Sequence, residues 1–235
     1  EQCDHPQWRG LPVIVGGLPG EARSVVSTAS YEARVYGVHS AMPIAQAFRL
    51  CPKGIFVHPR MERYHEVSQH IMHILGNYSP DVIQMSVDEA FVDITGTEKL
   101  FGASADCAQR LKAEVKAKTG LTISVGMATN HYVAKIASAL SKPDGLTIVP
   151  NGTEQSFMLS LPLEKLWGAG KKTRTKLNKL GLCTTEQVYA CSLELLQRSF
   201  GTAGGLFLYR AVRGQEAEDF VSEAKSHSIS VEETY

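Results

Sequence analysis

The chain has no apolar run approaching the roughly 18 residues that a membrane-spanning helix needs, and its start lacks the pattern of a secretory signal. Its five cysteines, Cys3, Cys51, Cys107, Cys183 and Cys191, are odd in number and widely spaced, without a C-x-x-C. That speaks against a disulfide framework or a zinc site and predicts reduced thiols in a cytoplasmic protein. Neither sign of charge prevails, since 24 Lys and Arg balance 24 Asp and Glu. Taken whole, the chain therefore gives no footprint for a polyanion. Its 43% apolar and 20% charged residues are ordinary for a globular protein, and 235 residues suffice for one large domain or two smaller ones.

The balance is local rather than uniform. Residues 1–162 carry 14 Lys/Arg against 15 Asp/Glu, residues 163–214 nine against three, and the last 21 residues one against six. A basic block inside a neutral chain is a localised footprint for a polyanion, whereas a merely solvated helix face needs no such sign bias. A composition shift near 162 predicts a domain boundary at the same place.

Two runs rich in β-branched and aromatic residues, 82–87 and 90–95, flank the adjacent carboxylates Asp88 and Glu89. The flanks read as strands of a tight antiparallel hairpin. Regular strands send neighbouring side chains to opposite faces, but at a hairpin mouth both carboxylates can aim at one point. Side by side, two anions call for a cation, and hard oxygens of this kind suit Mg²⁺. From spacing alone, an ordinary charged turn fits equally well.

Elsewhere, strands are predicted at 12–16, 24–28, 55–58, 121–127 and 146–149. Helices are predicted from Ser30, from Met42 to Leu50, and over 60–78, 103–118 and 131–140, with only short helices after 153. The middle of the chain is β-β-α-β-α-β, an α+β arrangement with an antiparallel sheet and helices on one face. His65, His70 and His73 share one helix, but without an H-E-x-x-H pattern they read as a solvated face.

The basic block opens with Leu166-Trp-Gly-Ala-Gly-Lys-Lys-Thr-Arg174 and runs to Gly181, the pattern of a helix-hairpin-helix. Gly168 and Gly170 allow close backbone approach to a phosphate, and the helix start offers free N–H groups. Lys171, Lys172 and Arg174 would reinforce that contact without reading bases. A plain helical hairpin with a basic face is the alternative. Tyr31 and Arg34, three residues apart on one helical face, could grip a triphosphate, although a surface Tyr–Arg pair is commonly structural. Lys142, in Ser141-Lys-Pro-Asp-Gly145, is by itself an ordinary helix-end lysine.

Together these motifs resemble the Y-family translesion DNA polymerases, most nearly their bacterial DNA polymerase IV branch. The likeness rests on Ser30-Tyr-Glu-Ala-Arg34, Gly37-Val-His-Ser-Ala-Met-Pro43, Ser86-Val-Asp-Glu-Ala-Phe91, Ala134-Lys-Ile-Ala137 and Ser141-Lys-Pro-Asp-Gly145, in that order. It implies a right-hand architecture: fingers over 1–60, palm over 61–162, a helical thumb over 163–222, and over 223–235 the start of a linker to a little-finger domain. By the same resemblance, Asp88 is a ligand of both Mg²⁺ ions, and Glu89 helps hold the ion that activates the primer 3′-hydroxyl. Tyr31, Arg34 and Lys142 would hold the β and γ phosphates of an incoming dNTP, and the thumb would grip primer–template DNA. A monomer is expected, and a sliding clamp would engage a C-terminal region outside this chain.

The sequence departs from the family in three ways. Members begin with a palm strand bearing another metal-binding aspartate, followed by an aromatic residue that excludes ribonucleotides; no residue here can be given either role. The little finger is expected to lie outside this chain, and Trp167 stands where the family often has Pro. The expectation is a segment of a low-fidelity, template-directed polymerase that by itself extends primers negligibly. Two alternatives remain: a palm-type nucleotidyl cyclase or other nucleotidyltransferase, and a DNA-binding scaffold without catalysis.

Overall fold

A computed structural model describes residues 1–217. The end of the expected thumb, 218–222, and the expected linker, 223–235, lie outside the described residues. Two compact units emerge. One comprises Glu1–His73, Ser86–Asp88 and Ala117–Leu121; the other comprises the remaining described residues.

The first unit is built on a three-stranded sheet of β1 (Val13–Gly16), β2 (Val26–Ala29) and β3 (Ile55–Val57), with β1 in the centre. β1 pairs antiparallel with β2 and parallel with β3. Every residue of β1 is buried, as its unbroken Val-Ile-Val run requires of a strand covered on both faces. Two short helices follow β2: α1 (Tyr31–Arg34) and α2 (Ile44–Leu50). Ser30 caps α1 by accepting from Ala33 N at 3.4 Å, and the chain leaves it through Gly37 at φ 84°. Ile14, Val26, Ala33, Val38, Ile44 and Ala47 form the core. The long helix α3 (Met61–Gly76) is shorter at both ends than the predicted 60–78.

In the second unit, β4 (Val82–Gln84) and β5 (Ala90–Val92) form the antiparallel hairpin foreseen at 82–95. After α4 (Glu98–Phe101) and α5 (Ser104–Thr119), β6 (Val125–Met127), α6 (His131–Leu140) and β7 (Leu146–Ile148) make a crossover unit. Within the second unit, the expected antiparallel pairing therefore holds for β4–β5 and not for β6–β7. β6 and β7 are parallel, because the chain returns to its starting edge through a helix. The unit is tight: a Cβ on Gly126 would stand 2.1 Å from Ala134 O. Helices complete the chain: α7 (Glu154–Leu159), α8 (Lys171–Lys179), α9 (Thr185–Tyr189) and α10 (Leu193–Ala211), the last broken at Gly201 with φ 79°.

Tyr132, Val133, Ile136 and Ala137 of α6 pack with Met158, Leu177, Leu196 and Leu208 in a second core. Each fully buried leucine there contributes about 2 kcal/mol by removal from water. The five thiols are unpaired, with Cys51, Cys107 and Cys191 buried, Cys3 half-buried and Cys183 exposed.

Several predicted strands are shorter in the fold. The strand predicted at 121–127 begins only at Val125, and that at 24–28 moves to Val26–Ala29. Alternation of side chains reports faces, but a ladder also needs a partner, and residues 121–124 have none within a strand.

Candidate active site

The carboxylates predicted at a hairpin mouth occupy a five-residue loop between β4 and β5, closed by Met85 N donating to Glu89 O at 2.9 Å. Local side-chain bonds end the strands earlier than predicted. Ser86 Oγ accepts from Asp88 N at 3.3 Å and donates to Asp88 Oδ1 at 2.7 Å, fixing the turn and one carboxylate together. Beyond β5, Asp93 Oδ1 accepts from Thr95 N at 2.9 Å, and the Thr95 contacts hold the Asp93 carboxyl below its ordinary range.

Glu89 turns to a partner that sequence spacing did not single out. It is ion-paired with Lys135 on α6. Lys135 Nζ also lies 5.8 Å from the Trp167 ring centroid, and Tyr132 OH donates to Trp167 O at 2.8 Å. The N-terminus of α6 is held firmly. Asn130 Oδ1 accepts from Val133 N at 3.0 Å, while the Glu216 carboxylate accepts from His131 N at 2.9 Å and Tyr132 N at 3.1 Å. The His131 ring meets Phe91 of β5 edge-on at 4.8 Å. A helix thus anchored presents Lys135 to the hairpin loop.

Asp88 and Glu89 are consecutive hard-oxygen donors. Among the described residues, no group of three or more His, Cys, Asp or Glu could hold a metal ion. Two carboxylates nevertheless match what Mg²⁺ commonly takes from a protein, with water and substrate phosphates completing its shell.

Tyr31 and Arg34 are brought together as predicted. The Arg34 guanidinium carbon lies 5.9 Å from the Tyr31 ring centroid, and Arg34 Nε donates to Ala29 O at 3.0 Å. Tyr31 is 51% exposed, so its hydroxyl is accessible. This pair belongs to the first unit.

Lys142 belongs to the second, on the loop from α6 to β7. That loop is clamped from α5 by Lys112, whose Nζ donates to Ile123 O and Asp144 Oδ1 at 2.7 Å each and to Gly145 O at 3.1 Å. The Lys112 ammonium keeps the Asp144 carboxyl below its usual range, assisted by Lys116 at 3.7 Å. Gly145 folds so closely on Ser141 that a Cβ would stand 2.0 Å from Ser141 O. Lys142 itself is exposed on this braced turn.

In the basic block, Gly168 adopts φ 85°, a left-handed conformation that favours glycine. Gly170 is the N-cap of α8, and among the described residues it brings no side-chain cap to the first N–H groups. Among the described residues, a Cβ on Gly170 would meet nothing within 4 Å. Lys171 and Lys172 are exposed, and among the described residues Arg174 Nε has no hydrogen-bond partner.

The chain as a whole resembles known proteins. Residues 1–139 match the impB/mucB/samB family, and residues 164–216 match a thumb domain described from DNA polymerase-iota. The chain is 54% identical over its full length to a DNA polymerase IV of Treponema denticola and 42% identical to one of Desulfatibacillum aliphaticivorans, covering 59% of each. It thus spans about three-fifths of the length of these curated relatives. Among solved structures, an insertion ternary complex of Dbh DNA polymerase aligns with TM-score 0.84 and 31% identity over 93% of this chain and 64% of that one. DinB from Sulfolobus solfataricus aligns with the same score and coverage at 30% identity. With more than half of its length matched by one family model and a thumb matched behind it, the chain belongs to the impB/mucB/samB family, the Y-family group that its motifs resembled.

Proposed function

We propose that this chain carries the core of a template-directed, low-fidelity DNA polymerase of the polymerase IV type. It would add deoxynucleotides to a primer 3′-end during translesion synthesis, in the cytoplasm and as a monomer. The observation that carries the reading is the pairing of Asp88 and Glu89 on one hairpin loop in a chain that also bears a basic helix-hairpin-helix turn. Fingers over 1–60, palm over 61–162 and thumb from 163 are the corresponding division of labour.

Asp88 and Glu89 would hold two Mg²⁺ ions. When bound, the ions supply charge stabilisation for the attacking and leaving oxygens of an in-line displacement. The chain's own groups do the positioning. Ser86 fixes the Asp88 carboxylate by its 2.7 Å bond. Tyr31 offers one hydroxyl donor and Arg34 a planar fork to the β and γ phosphates, while Lys142 adds a point charge from its braced loop. At the thumb, the α8 N–H groups, Gly168, Gly170, Lys171, Lys172 and Arg174 would grip the DNA backbone, fixing position without reading sequence.

Primer extension on a templated primer, by this chain alone and by the chain joined to the upstream palm strand and little finger of a polymerase IV relative, each with and without Asp88→Ala, tests the reading. The joined form should extend and lose extension on substitution, while the chain alone extends negligibly. Loss of a metal carboxylate should remove several kcal/mol of stabilisation, roughly a hundred-fold or more in rate. Nucleotide turnover that needs no template would favour a cyclase instead. DNA binding with no incorporation in any form would leave only a scaffold.

A further inference from the structure

A cavity of about 480 Å³ in the second unit is lined by Lys135, Ile136, Glu164, Trp167, Gly168 and Arg174, among others. Lys135 stands at its edge with two calls on its charge, the Glu89 carboxylate and the Trp167 ring 5.8 Å away. Its side chain is 20% exposed and that of Glu89 43%, so the pair is partly shielded from water. Trp167 in turn belongs to the turn that opens α8, and its carbonyl is fixed by Tyr132 of α6, three residues before Lys135.

We propose that Lys135 is a positioning residue that neutralises Glu89 until a divalent cation takes its place, and that it then shifts towards Trp167 and Glu164 in the cavity. This rests on the reading of Asp88 and Glu89 as a metal site. A lysine ammonium and a divalent cation on one carboxylate repel each other, and both cannot hold the same oxygen at full strength. The displaced ammonium has somewhere to go, because an aromatic face and a carboxylate lie in the same cavity. Binding of the cation would thereby be felt at the phosphate-gripping turn through Trp167, linking occupancy of the hairpin to the thumb.

Mn²⁺ binding, followed by the electron paramagnetic resonance of the free ion, separates the possibilities. Lys135→Met should bind Mn²⁺ roughly three- to fivefold more tightly than the unsubstituted protein, the scale of losing a partly exposed ion pair. Lys135→Arg should stay within about twofold, since the charge is kept. In a Trp8→Phe background, which leaves Trp167 as the sole tryptophan, Mn²⁺ should change the emission when Lys135 is present and not in Lys135→Met. Thermal unfolding checks each fold, and Lys135→Gln serves if the methionine variant does not accumulate. Equal Mn²⁺ affinity with and without Lys135, or an emission change that survives Lys135→Met, overturns the proposal while leaving the metal site standing if Glu89→Gln weakens binding. An affinity that Glu89→Gln does not alter, or no binding in any form, overturns both.

Discussion

Lys112 and Asp144 are joined at 2.7 Å across 32 residues of sequence, and the same ammonium also holds the carbonyls of Ile123 and Gly145. One side chain thus fixes the loop that presents Lys142. Lys112→Met should cost about 1–2 kcal/mol in urea unfolding, because carbonyls and a carboxylate lose a charged donor at once. If Lys142 contacts nucleotide phosphates, the same variant should raise KM for dNTP more than it lowers kcat. A change confined to kcat would separate the loop from binding.

Acid should weaken the first unit in a defined window. Hydrogen bonds from Arg63, then Arg60, lower the Asp4 carboxyl from its ordinary 3.8 to about 2. A carboxyl depressed in the folded state contributes stability that is complete above its unfolded value and lost as the pH falls through the folded one. The stability of the protein should therefore decline between pH 3.8 and about 2, and Asp4→Asn should flatten that part of the decline. Urea midpoints across that window measure it, and an unaltered slope in the variant would contradict the assignment.

Two glycines should respond oppositely to alanine. At Gly126 the new methyl would collide with Ala134 O at 2.1 Å and Ser138 N at 2.3 Å, backbone atoms that cannot give way singly. Gly126→Ala should cost about 3 kcal/mol or more, or fail to accumulate. At Gly170 the methyl would meet nothing within 4 Å, so folding should be nearly untouched. Fluorescence anisotropy with a labelled primer–template should nevertheless show Gly170→Ala binding DNA several-fold more weakly, since the methyl would lie over the approach to the α8 N–H groups.

Salt dependence distinguishes phosphate contact from base contact at the thumb. Lys171→Ala and Lys172→Ala should each weaken DNA binding to a similar degree for all sequences and reduce the slope of log K against log salt by about 1. Unequal losses across sequences would point to base readout instead.

What the sequence made legible was whatever is encoded locally. The β4–β5 hairpin, the Ser30 start of α1, the glycine turn before α8 and the Tyr31–Arg34 pair each depend on residues within a few positions of one another. Lys135 and Lys112 escaped because their partners stand 46 and 32 residues away, and no periodicity announces such a meeting. For the former, the available signals were a lysine inside the apolar stretch Val133–Ala137 and its place in the Ala134-Lys-Ile-Ala137 motif. The strands end short of the β-rich runs where Ser86 and Asp93 turn local backbone donors away from the ladder. The parallel β6–β7 pairing depends on a crossover whose direction composition does not state.

The distribution of thiols has a practical consequence. Burial raises the thiols of Cys51 and Cys107, and Cys191 is enclosed as well, while Cys3 donates to Gly120 O at 3.6 Å. Cys183, one residue before the N-cap of α9, is the exposed thiol of the set. A maleimide fluorophore or spin label should react there first, giving a reporter between α8 and α9 with no residue replaced.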